Sequence, residues 1–203
     1  MAIDTSSWIQ SNTEISDGLR PIFERYLLAC PAIGTSQLSN GFIQDLNIRT
    51  SAVATEWLRQ LDPGRATIQF TDKVEQANEL IALKQAEGHL FGPDEYYICY
   101  RSERNAVHDI IQSLPEYSET SQSKLGKKAT DSIKRRFFEV DALYTHIRNA
   151  LAHGRFRFFE EEKALFFFDR SAGDKNLSAA GLLRTETLDC WYTKACNLAE
   201  KKL

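Results

Sequence analysis

The chain has 203 residues, 42% hydrophobic, 26% charged and 11% aromatic, with a formal net charge of −3. That apolar share is too high for a disordered tail, and the composition excludes collagen-like and disulfide-scaffold classes. The longest apolar runs, such as Ala164 to Phe168, are far too short to cross a bilayer, so no membrane association is expected.

Gly, Pro and polar clusters divide the chain into segments of mostly helical period. Ile15, Leu19, Ile22, Phe23 and Tyr26 predict a first helix starting near Pro21. Phe42, Leu46, Val53, Trp57 and Leu61 predict a second, stopped by Pro63-Gly64. Thr71 is the predicted N-cap of a third, which carries Val74, Ala77, Leu80, Ile81 and Leu83 and ends near Gly88. Pro93-Asp94 opens a predicted fourth, with Tyr97, Ile98, Val107, Ile111 and Leu114 inward. The fifth is the clearest: Ile133, Phe137, Val140, Tyr144, Ile147 and Leu151 form one continuous apolar stripe, and Gly154 should end it in a left-handed cap. The period then changes. Arg155-Phe156-Arg157-Phe158 alternates, Glu160 to Lys163 makes a polar turn and Leu165 to Phe168 follows, a β-hairpin pattern. A last helix is predicted from Thr185 as N-cap, with Leu188, Trp191, Tyr192, Ala195 and Leu198 inward.

The first residues, Met1 to Trp8, place no basic region ahead of an apolar core, which argues against secretion and for a cytoplasmic protein. Cys30, Cys99, Cys190 and Cys196 form no C-x-x-C pair, so free buried thiols in a reducing compartment are expected. Zinc ligand spacing and phosphate-cradling Gly-rich loops are absent, and no metal or cofactor is expected. Charge is uneven. From Lys124 to Arg157 nine basic residues face three acidic ones, so that segment carries +6 and the rest of the chain −9. A local basic zone on an acidic chain suits a polyanion bound at one place.

The fifth helix ends in Arg148-Asn149-Ala150-Leu151-Ala152-His153-Gly154. At 100° per residue Arg148 and His153 lie about 140° apart, whereas Asn149 and His153 share a face opposite the apolar stripe. That face also carries Arg135, Phe138, Ala142 and Thr145, a mixed stripe expected to be free for a partner chain. A second arginine–histidine pairing, Arg101 or Arg104 with His108, lies on a less regular helix without a glycine stop, and His146 is expected to be a surface residue.

With Arg148-Asn149-x-x-x-His153 near the end of a long helix, followed by Gly154, a hairpin and a closing helix, the chain resembles the HEPN superfamily of helical ribonucleases, defence factors and toxins. The resemblance covers roughly Thr71 to Leu203, and the plasmid- and phage-defence branch looks closest. It implies an all-α fold, an antiparallel helical bundle with a short hairpin after the motif helix and a closing helix; residues 1–70, which the resemblance does not reach, read as an unassigned helical extension. It also implies a toxin or defence effector that cuts RNA without a metal, by 2′-OH attack, leaving 2′,3′-cyclic phosphate and 5′-OH ends. The implied active site is composite, in a homodimer, with an antitoxin or regulatory protein as a further partner.

The side chains suit these roles. Histidine titrates near neutral pH, so His153 is the candidate general acid–base. The planar donor fork of arginine suits charge on a phosphorane, so Arg148 is its candidate stabiliser. Asn149 is the candidate to orient His153 or bind a phosphate oxygen. Arg135, Arg155 and Arg157 are candidate RNA contacts, the last two on one side of the hairpin. The alternative is a non-catalytic HEPN module that binds RNA or a protein partner.

Overall fold

The structure is a computed structural model that describes residues 17–28, 50–61, 66–88, 94–103, 105–113, 119–170 and 175–200. In chain order the elements are α1 (Arg20–Phe23, continued by a π-helical turn, Glu24–Leu28), α2 (Ser51–Leu61), β1 (Ala66–Thr71), α3 (Val74–Ala86), β2 (Glu95–Tyr100), α4 (Asn105–Ser113), α5 (Glu119–Ala152), β3 (Phe156–Phe159), β4 (Ala164–Asp169), β5 (Ala179–Arg184) and α6 (Thr185–Glu200). Ile15, Phe42, Leu46, Pro63, Pro93, Arg104 and Leu114 lie outside the described residues.

The all-α expectation is overturned. Five strands form one mixed sheet of order β1-β2-β5-β4-β3, in which only β1 and β2 are parallel. The predicted hairpin is present as β3–β4, pairing Phe156 with Phe167 and Phe158 with Leu165. It forms one edge of a larger sheet. The predicted fourth helix fails over its first half: Glu95–Tyr100 is a strand, and helix begins only at Asn105. Five consecutive residues, Glu95 to Cys99, are buried. A strand covered on both faces shows no polar alternation, and its aromatic and β-branched side chains favour extended backbone. Thr71 is also not a helix cap. It closes β1, and its hydroxyl donates to the Lys73 carbonyl at 3.1 Å, while Lys73 precedes α3 in extended conformation.

Side chains alternate across the sheet into two cores. Tyr97, Cys99, Leu165, Phe167, Ala179 and Leu183 face α5, together with residues of α1, α2 and α6. Tyr96, Ile98, Phe166, Phe168, Ala180 and Leu182 face Ile81 and Leu80 of α3. Gly181 sits where a Cβ would come within 2.8 Å of the Phe167 ring and 3.0 Å of the Tyr97 ring. No larger residue fits there without moving two buried aromatics.

Helix α5 runs between the sheet and the N-terminal helices, broken once at Gly126 (φ 69°). Residues 137–147 are buried without interruption. The apolar stripe is therefore only half of the helix's buried surface. The mixed stripe, expected to be open to a partner chain, is covered by the chain's own sheet: Phe138 is 3% exposed, Ala142 2% and Thr145 7%. The Tyr97 hydroxyl donates to the Leu143 carbonyl at 3.0 Å. Small residues on this face let the helix lie close to the strands.

Burial raises the Cys99 thiol and the Tyr96 and Tyr97 phenols above their ordinary values of 9.0 and 10.0. Above those values the unfolded chain gives up protons that the folded chain keeps, so the unfolded state binds fewer and stability falls as pH rises. The urea midpoint should hold up to about pH 8.5 and decline above about pH 9, and Tyr97→Phe should make the decline shallower. An equal slope in the variant would remove Tyr97 from this account.

Candidate functional site

The motif occupies the C-terminal end of α5. Its termination follows from Gly154, whose φ of 64° opens the left-handed turn foreseen from the sequence. The Gly154 N–H donates to the Leu151 carbonyl at 3.2 Å and the Arg155 N–H to that of Ala150 at 2.8 Å. These two bonds satisfy the helix's final carbonyls in a Schellman arrangement. His153, at the turn, is exposed.

Arg148 borders the apolar stripe and is half-buried. Its Nε is fully buried and has no hydrogen-bond partner among the described residues. Leaving such a donor unpaired costs about 1–3 kcal/mol, a cost that Nε1 of the core residue Trp191 bears as well.

Asn149 is held by a residue the sequence reading missed. Asp169, the last residue of β4, is 4% exposed. One carboxylate oxygen accepts from Asn149 Nδ2 at 3.2 Å and contacts His146 Nδ1 at 2.7 Å; the other accepts from Arg155 at 3.4 Å. His146, expected at the surface, is 6% exposed, and its Nε2 lies 2.7 Å from the Tyr100 carbonyl oxygen. The two contacts hold the ring between the end of β4 and the end of β2. Asp169 thus ties the motif helix, the end of β4 and the first residue after the glycine turn into one unit. In the sequence it was only an acid ending an apolar run, with nothing local to mark it.

The remaining candidates are placed apart. Arg155 also donates to the Arg170 carbonyl, so its guanidinium is held against the fold. The Arg157 guanidinium lies 5.0 Å from the centroid of the Phe159 ring. Arg135 is about 20 Å from Arg148 along the helix axis. It pairs with Asp72 at 3.6 Å and Glu139 at 3.7 Å. The structure therefore gathers Asn149, Arg155 and His146 around Asp169, leaves Arg148 and His153 on separate sides of the helix end, and puts Arg135 elsewhere. His108 lies on α4, while Arg101, just beyond β2, ion-pairs with Glu139.

Among the described residues no group of three or more His, Cys, Asp or Glu could hold a metal ion, and no helix is long and apolar enough to cross a membrane. No family model, curated protein or solved structure matches the chain.

Proposed function

We propose that the chain is an endoribonuclease of HEPN type, with Arg148, Asn149 and His153 at its active site. The buried, partnerless Nε of Arg148, five positions before an exposed histidine, is the observation that carries this reading. An arginine whose donors are left free in a half-buried setting is poised for an anion, because hydrogen bonds strengthen away from water. His153 moves the proton of the attacking 2′-OH or of the leaving 5′-oxygen. Arg148 stabilises the charge on the phosphorane, and Asn149, anchored by Asp169, sets the helix end against the substrate.

Arg148 and His153 diverge by about 140° around the axis, so the second copy of the chain supplies the complement in a homodimer. The buried mixed stripe cannot serve as that interface. The exposed end of α5 and the adjoining turn supply it instead. Toxin-like or defensive use, with an antitoxin or regulatory protein as partner, belongs to the same reading. The mixed sheet departs from an all-helical bundle, and this favours as second reading a module that binds RNA or a protein without cutting.

Total RNA incubated with the purified chain in EDTA separates the two. Cleavage with cyclic-phosphate and 5′-OH ends is expected. RNA binding without new ends would leave the second reading, and activity restored only by a divalent ion would reject the chemistry.

A further inference from the structure

Midway along α5 a cleft of about 720 Å³ opens beside the sheet, lined chiefly by Asp72, Arg101, Lys128, Asp131, Lys134 and Arg135. Asp72 immediately follows β1 and Arg101 immediately follows β2, so the cleft lies at the carboxyl ends of the two parallel strands. In open α/β sheets that is the position where ligands are taken, because the loops there are free to diverge. The Arg101 N–H donates to the Thr71 carbonyl at 3.1 Å, which joins the two strand ends.

The cleft's basic side chains, Arg101, Lys128, Lys134 and Arg135, outnumber its carboxylates, Asp72, Glu103 and Asp131, by one. Arg101, 8% exposed, pairs with Glu139 at 2.8 Å. The same Glu139 carboxylate also receives Arg136 at 3.0 Å and Arg135 at 3.7 Å. One buried carboxylate thus serves three guanidinium groups. Burial, and then the neighbouring Arg135, lower the Arg101 pKa from its ordinary value. Among the described residues the other anion on Arg101 is Asp72, whose side chain is 60% exposed and which is shared with Arg135. Lys128 and Lys134 on the same wall have no ion-pair partner among the described residues.

We propose that this cleft binds a phosphomonoester dianion, whose oxygens displace the Asp72 carboxylate from Arg101 and are gathered by Arg135, Lys128 and Lys134. Asp72 is a solvent-exposed monoanion placed where a stronger anion fits, and a dianion with three terminal oxygens outcompetes it for two arginines at once. Glu103 and Asp131, which also line the cleft, repel an extended run of phosphodiesters, so the cleft selects a terminal phosphate. That phosphate belongs to a small phosphorylated molecule or to the end of a nucleic-acid strand. The site is about 20 Å from Arg148 and does not depend on the cleavage reading.

The test is calorimetric titration of the full chain with phenyl phosphate. Saturable binding is expected, weakened at least about tenfold by Arg135→Gln and by the Lys128→Gln, Lys134→Gln pair, and strengthened by Asp72→Asn. All four positions lie at the surface, and matched melting curves confirm folding of each variant. A 5′-phosphorylated oligoribonucleotide and its 5′-hydroxyl twin, titrated in a His153→Ala background, distinguish the sources. Tighter binding of the phosphorylated strand than of its 5′-hydroxyl twin, lost in the Arg135→Gln variant, assigns the site to a strand end, and equal binding of the two strands assigns it to a small molecule. Absence of saturable binding by any phosphomonoester at millimolar concentration overturns the proposal, as does binding that the arginine and lysine variants leave unchanged.

Discussion

Replacing Arg148 by methionine is expected to lower RNA cleavage by at least about 10²-fold while leaving the protein as stable as before or more so. Methionine keeps much of the side chain's apolar length along α5 and removes the Nε that is buried without a partner. The desolvation cost of that donor, about 1–3 kcal/mol, then disappears from the folded state. Activity and stability should move in opposite directions, the signature of a residue placed for a ligand. His153→Ala should reduce cleavage by about 10²–10⁴-fold with an unchanged melting temperature, since the side chain is exposed at the helix end. Thermal melts and initial rates on one RNA, measured for both variants, decide the matter. A destabilised Arg148→Met protein would make the arginine structural, and full activity in either variant would remove the proposed site.

Asp169→Ala should be the costliest single change, destabilising by about 3–5 kcal/mol. The carboxylate is 4% exposed and meets His146, Asn149 and Arg155 at once. Its loss leaves three buried or half-buried donors facing a void, which costs more than the lost contacts themselves. Asp169→Asn keeps one acceptor and should lose less. Urea unfolding of both variants gives the ranking, and an alanine variant within about 1 kcal/mol of wild type would show that water replaces the carboxylate. Cleavage by the asparagine variant, assayed where it is fully folded, should also fall, because Asn149 then loses a charged anchor.

The motif helix and its glycine stop were legible because an amphipathic repeat and a left-handed cap leave local marks, and the hairpin because its period switches. The sheet was not. β2 is buried from Glu95 to Cys99 and shows no alternation, and β5 is built from Ala179, Ala180 and Gly181, small residues that announce no strand. β1 did carry a signal, with Ile68 and Phe70 alternating with the more exposed Thr67 and Gln69. Missing the sheet led directly to misreading α5. A helix with an apolar stripe and a mixed stripe looks like a surface helix with a vacant face, whereas here it is a central helix with a layer on each side. The charged residues that matter at its C-terminal end and at its middle, Asp169 and the Arg101–Glu139 pair, meet partners 14 to 38 positions away in the chain, a separation no local pattern reports.

The place of β5 between β2 and β4 has a consequence for the order in which the protein can assemble during its synthesis. The ribosome releases β1 and β2 first and the β3–β4 hairpin later, yet neither ribbon touches the other until Ala179–Arg184 arrives to pair with both. Between the completion of β4 and the arrival of β5 the nascent chain holds two separate ribbons, each with an open edge of unpaired backbone, and β4 with its Phe166-Phe167-Phe168 run is the more adhesive. Ribosome stalling before β5 emerges should therefore yield chains that need a chaperone, and release once β5 is paired and α6 covers it with Leu188 and Trp191 should yield chains that no longer do.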